Sequence, residues 1–293
     1  MTDDPFQGRS FPYDALGAML ARPELEDAMR RSVRGAVDYY ATAPTLHRNV
    51  KDVSRFLLGV VALYLDASGG LTHRRLRELS GKSGILSAGT ATAVLLRLQL
   101  IGYVTRGEAP NGLPRPYKPT AAMAMAFRDR LRIELEAVAC LEPGIQALLD
   151  DLDDPATFAA FMAVMGEQSM QAAAAPNPDI APFNALSIRS AGLLILFDLM
   201  MRADRGGPYP PQGEVEVSVA ALARRYEVSR SHVLSVLRDI EAAGWMTKGG
   251  VDGTWLLTPA LGQTVRIFYG ITYLGLIRAA EMVAERRPDR LAG

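Results

Sequence analysis

The chain has 293 residues, 49% hydrophobic and 22% charged, with as many Lys and Arg as Asp and Glu. That length suits about two domains with ample buried core, and zero net charge excludes a general attraction to polyanions, so any basic surface must come from local clustering. A single cysteine, Cys140, excludes an internal disulfide and fits a reducing cytoplasm.

In chain order, the opening "MTDDPFQGRS" is acidic and polar, unlike the basic start of a signal peptide. Helix formers and early acidic residues predict a helix over 23–40. The apolar spacing of 52–66 predicts a second, buried helix. A polar stretch at 71–80 leads to an amphipathic helix that starts near Ser87 and stops at Gly102. Short strand signals follow at 102–106 and at Tyr117.

Helices are then expected over about 120–141 and over 155–174. The acidic run 150–155 reads as a helix start, with Asp154 as N-cap and Pro155 at the first helical position, in preference to a cation site. Three prolines in "AAAAPNPDIAPFN" (172–184) predict a linker. A helix over 187–203, strand signals at 245–248 and 254–257, and a long helix over 259–286 complete the chain, whose tail should fray. The longest apolar runs, 56–65 and 191–197, fall short of the roughly 18 residues of a membrane span. The expectation is a cytoplasmic protein with no membrane partner.

The chain repeats itself. Displaced by 142 residues, "SAGTATAVLLRLQLIGYVTR" (87–106) lies on "SRSHVLSVLRDIEAAGWMTK" (229–248) without a gap. Val94 meets Val236, Leu98 meets Ile240, Gly102 meets Gly244, Tyr103 meets Trp245 and Arg106 meets Lys248. Upstream, Leu76 lies on Leu222, and both copies are flanked by helices. Such self-similarity indicates duplication of a whole domain, here 1–150 and 151–293.

Two short helices across a tight turn, the second longer, then a β-hairpin: that order resembles a winged helix-turn-helix. With its flanking helices each half resembles the MarR-type transcriptional regulators of bacteria. Those proteins carry one such unit per chain and dimerise, whereas two units share this chain. The resemblance implies a mainly α fold of two tandem winged helix-turn-helix units forming an intramolecular pseudo-dimer. It also implies double-stranded DNA as partner, with the two recognition helices roughly 34 Å or a multiple apart. Whether two chains form a homodimer stays open.

In the second copy, Val233, Val236, Leu237 and Ile240 form one apolar helix face. Ser229 is placed as N-cap, Gly244 ends the helix in a left-handed conformation, and Trp245 is expected to bury its ring beneath the hairpin. Arg230, Ser231, His232, Ser235 and Arg238 then remain for the major groove, where Arg grips guanine and Ser bonds several bases. The first copy offers Ser87, Gly89, Thr90, Ala93 and Leu96 instead, which read little sequence. Its hairpin is richer in cations, with Arg106, Arg115 and Lys118 against Lys248. Residues 71–118 hold eight basic and two acidic side chains, and 219–258 hold five and four, so phosphate affinity is expected mainly from the first copy.

MarR-type proteins sense ligands beside the long helices, and Tyr39, Tyr40, Phe56 and Tyr64 offer a lining for a small apolar or aromatic effector, or simply form core. His47, His73 and His232 lack metal-ligand spacing, and no phosphate loop or nucleophile pair stands out, so neither enzyme, cofactor nor metal is expected. The rival reading is a winged-helix protein-interaction scaffold that does not bind DNA.

Overall fold

The computed structural model describes residues 15–42, 50, 52–83, 88–108, 115–174, 178–251 and 253–287. The chain is mainly helical, with small sheets. Its elements are α1 (Leu16–Leu20), α2 (Leu25–Thr42), α3 (Val53–Ala67), α4 (His73–Ser83), α5 (Ala88–Leu100), β1 (Val104–Arg106), β2 (Tyr117–Pro119), α6 (Ala121–Val138), α7 (Ile145–Asp150) and α8 (Pro155–Ala174). They continue with α9 (Ala181–Ser187), α10 (Gly192–Ala203), β3 (Gly213–Glu216), α11 (Val219–Arg225), α12 (Arg230–Ala242), β4 (Met246–Lys248), β5 (Thr254–Leu257) and α13 (Pro259–Arg286).

Two compact units interleave along the sequence. The first holds the described residues between 54 and 174 and from 273 onward; the second holds those between 15 and 53 and between 178 and 272. They are therefore not the consecutive halves 1–150 and 151–293. Long-range pairing is the reason. The buried face of α2, with Met29, Val33 and Val37, belongs with α10. Arg30 on α2 also pairs with Asp204 at 3.0 Å and donates to the carbonyl oxygen of Gly207 at 2.6 Å. α13 is divided between the units at residue 273.

In the first unit α3, α6 and α8 pack closely. Phe56 stacks on Phe127 with centroids 5.2 Å apart, and a Cβ on Gly166 would lie 2.5 Å from Tyr64. Strands β1 and β2 pair antiparallel, Thr105 opposite Lys118, and Leu71 bridges to Tyr117 ahead of α4. At the start of α8, Asp154 accepts from the Thr157 N–H at 2.9 Å and from Arg287 at 2.5 Å. First the Arg287 bond and then the Thr157 N–H hold its pKa down to about 2.

In the second unit an antiparallel sheet has the order β3-β5-β4, with Val215 opposite Trp255 and Met246 opposite Leu257. Its core gathers Phe183, Phe197, Trp245, Phe268 and Tyr269. Asp198 on α10 is buried, and it takes Arg202 at 2.7 Å and Arg225 of α11 at 3.0 Å. The two guanidinium groups compensate its charge, which would otherwise be costly there. Beside it Tyr226 is buried edge-on to Tyr40, 5.1 Å between centroids, and burial pushes its phenol pKa up.

Four elements have no counterpart in the sequence reading: α1, α7, β3 and α9. The last begins inside the expected linker and runs three residues past it, and its proline occupies the first turn, where no backbone N–H is needed. The helix expected over 187–203 is broken instead, with α9 and α10 meeting at a 101° bend. Ala191 is left-handed at φ 56°, and a Cβ on Gly192 would collide with the Leu186 carbonyl oxygen, so only glycine fits the corner. Among the described residues α13 is long and apolar enough to cross a membrane by length and composition, a candidate the sequence reading passed over; half of that apolar stretch is buried within the protein.

Two outcomes are expected. Gly244 sits at φ +72°, so Gly244→Ala should cost about 1–2 kcal/mol, read as a lower urea midpoint at unchanged slope. The depressed Asp154 pKa stabilises the fold above the ordinary carboxylate range, and that contribution is lost as pH falls through about 2. Asp154→Asn should therefore flatten the loss of urea resistance between about pH 4 and that value, while an unchanged acid limb would remove the Arg287 pair from the account.

Candidate functional site

The duplication seen in sequence is a duplication of bonds. At the start of α4, Thr72 Oγ1 accepts from the Arg75 N–H at 3.2 Å; at the start of α11, Ser218 Oγ accepts from the Ala221 N–H at 3.3 Å. Helices α5 and α12 run into left-handed glycines, Gly102 (φ +77°) and Gly244 (φ +72°). The next residue turns back on the helix: Tyr103 N–H donates to Leu98 O at 2.8 Å, and Trp245 N–H to Ile240 O at 3.1 Å.

A threonine closes each hairpin onto that helix end. Thr120 donates its N–H to Tyr103 O (2.9 Å) and its hydroxyl to Gly102 O (2.9 Å). Thr258 donates to Trp245 O (3.1 Å) and Gly244 O (2.6 Å). Each first hairpin strand ends on a cation laid over an aromatic ring. Arg106 lies 3.9 Å from the Tyr117 centroid and Lys248 lies 3.7 Å from that of Trp255.

On α12 the apolar stripe Val233, Val236, Leu237 and Ile240 is buried, and Ser229 Oγ caps the helix by accepting from the His232 N–H at 3.1 Å. Trp245 is buried, but its ring meets Phe183 of α9 at 6.0 Å, in a segment the sequence had marked as linker. Arg230, Ser231 and Arg238 are exposed. Among the described residues neither arginine has an ion-pair or hydrogen-bond partner, whereas Ser231 Oγ lies 2.9 Å from Ser229 Oγ.

The other two expected base readers are engaged. His232 Nε2 donates to the Ser190 carbonyl oxygen at 2.8 Å. Ser235 Oγ accepts from Arg189 at 2.6 Å, and Arg189 also lies 3.4 Å from Asp239. The corner between α9 and α10 thus clamps the outward side of α12. Arg189 escaped the sequence reading because a continuous helix over 187–203 left it no special position.

On α5, Ser87 lies outside the described residues. Gly89, Thr90, Ala93 and Arg97 are exposed, as are Leu96 at 54% and Leu100 at 83%, so this face mixes apolar groups with one threonine and one arginine. His73 Nε2 is 2.8 Å from Thr92 Oγ1 on the same helix.

The hairpin cations differ in freedom. Arg106 and Lys248 are exposed but spread over their rings, Arg115 is exposed, and Lys118 pairs with Asp66 at 3.0 Å. Part of the basic surplus of 71–118 is also committed, since Arg75 donates to the carbonyl oxygens of Gly70 (2.8 Å) and Ser68 (3.1 Å). The effector lining is not gathered in either unit. Tyr39 and Tyr40 belong to the second unit, where Tyr40 is buried against Tyr226, and Phe56 and Tyr64 to the first, where both are half-buried beside Phe127 and Gly166.

No protein-family model, curated protein or solved structure matches the chain.

Arg189→Ala should release Ser235 and Asp239 together. The loss is about 1 kcal/mol for the hydrogen bond, little for the half-exposed ion pair, and hydrogen exchange should quicken in the first turns of α12 with α5 unchanged. Equal exchange in both helices would show that the corner does not restrain α12.

Proposed function

We propose that the chain is a sequence-specific DNA-binding transcription regulator built on two winged helix-turn-helix units of the MarR type, with α12 as its base-reading helix. One observation carries this reading: Arg230 and Arg238 stand exposed and unpartnered on the outward side of a capped helix that follows a tight turn after α11. An exposed arginine without an internal partner breaks no internal bond on meeting a base edge or phosphate. The guanidinium fork matches guanine O6 and N7. Residues near the start of a recognition helix reach base edges, and Arg230 and Ser231 are its first two residues.

The hairpins support the same reading. Each is fastened to the end of its helix by the glycine and threonine pair, so its cations keep a set place beside that helix. Arg106, Arg115 and Lys248 on them serve backbone phosphates, which position a protein without reading sequence. Lys118 joins them once it leaves Asp66. Such a regulator works in the cytoplasm on double-stranded DNA.

The scaffold reading has one observation in its favour, the exposed Leu96 and Leu100 on α5. Binding over a salt series to a selected and a scrambled duplex separates the two. Arg230→Ala or Arg238→Ala should narrow the gap between duplexes by about 1–3 kcal/mol. Arg115→Ala should weaken both duplexes alike and lower the salt slope by about one. If the parent chain binds no duplex at any salt, the scaffold reading takes its place.

A further inference from the structure

The two units share one frame and differ in the helix face that the frame presents. Caps, left-handed glycines, threonine closures and cation-covered rings all occur twice. In the gapless alignment Arg230 falls on Ala88, Ser231 on Gly89, Ser235 on Ala93 and Arg238 on Leu96. The frame is the same while the outward positions differ: the arginine of α5, Arg97, is exposed but falls on Asp239 and not on Arg230 or Arg238.

Resting on the DNA-binding reading above, we propose that the DNA recognised by this chain is asymmetric: one short guanine-containing segment read by α12, with no inverted copy, because α5 presents alanine, glycine and leucine where α12 presents Arg230, Ser231, Ser235 and Arg238. Two-fold dimers present the same recognition face twice, so their sites are palindromic. This chain joins two different faces covalently, and nothing requires its site to repeat. Guanine follows from chemistry. It alone sets two acceptors side by side in the major groove, and the exposed, unpartnered groups on α12 are guanidinium forks. Arg189 sharpens the choice. By donating to the hydroxyl of Ser235 at 2.6 Å it occupies an acceptor position of a group that bonds several bases, so Ser235 is left chiefly to donate where the arginines discriminate. On α5, Ala93 and Leu96 carry neither donor nor acceptor; at most they touch a thymine methyl, and a leucine more than half exposed cannot hold guanine.

The test is selection of bound duplexes from a random library by the full chain at fixed salt, followed by sequencing. The expected result is a guanine-containing motif without an inverted repeat, whose guanine preference falls in Arg230→Ala or Arg238→Ala. A motif that is an inverted repeat overturns the proposal while the DNA-binding reading stands. Failure to retain any duplex removes both. A second variant reaches the cause: Ala88→Arg, Gly89→Ser, Ala93→Ser and Leu96→Arg place the α12 face on α5, with its fold checked by circular dichroism. Selection with this chain should yield a second guanine-containing segment. A motif identical to the parent's overturns the assignment of asymmetry to the α5 face.

Discussion

The structure depends on how α5 and α12 end. A left-handed glycine lets the chain reverse, the following aromatic residue donates back to the helix, and a threonine some fourteen to eighteen positions on closes the hairpin against the carbonyl groups of that glycine and that aromatic residue. Helix termini leave carbonyls without partners. Here the N–H groups of the glycine and the aromatic residue satisfy them, and the threonine bonds the carbonyls of that same pair, so helix end and hairpin form one piece. That coupling gives the hairpin cations a fixed place beside the helix. It also buries Tyr103 and Trp245, whose large rings tie the piece to the core of each unit.

Charge is distributed by the same economy of partners. A neutral chain has no field of its own to attract a polyanion, so what matters is which cations are already committed. Asp198 holds two arginines within the second unit, Asp66 holds Lys118 and Asp239 holds Arg189, while Arg106 and Lys248 rest on rings. Arg230 and Arg238 have no such commitment among the described residues. A cation over a ring keeps its charge, but it is less mobile than one on a free stem, which suits a positioning contact better than a searching one.

The difference between the two helix faces gives the duplication its interest. Core positions are alike in the two stretches, valine on valine and leucine on isoleucine, because they serve the same packing. Outward positions differ, with arginine and serine on α12 where α5 has alanine, glycine and leucine, because packing imposes little there. The corner at 188–191 then adds a constraint on α12, holding His232 and Ser235 in place and leaving the arginines to face outward.

The amino-acid sequence by itself determined what local interactions decide. Helices at 155–174 and 259–286 follow from periodicity and cap residues, and both hairpins follow from short β-rich runs. The repeat, the Ser229 cap and the Gly244 stop were legible because their partners lie within a few residues. Only the tertiary structure decided what depends on distant partners. α2 joined the second unit through bonds across 174 residues, and Lys118 met Asp66 across 52. Arg189 reached Ser235 across 46, at a corner that exists because no side chain fits at Gly192. Such pairings leave no periodic trace in the chain, since a lone arginine or aspartate reads the same whether it is solvated or clamped.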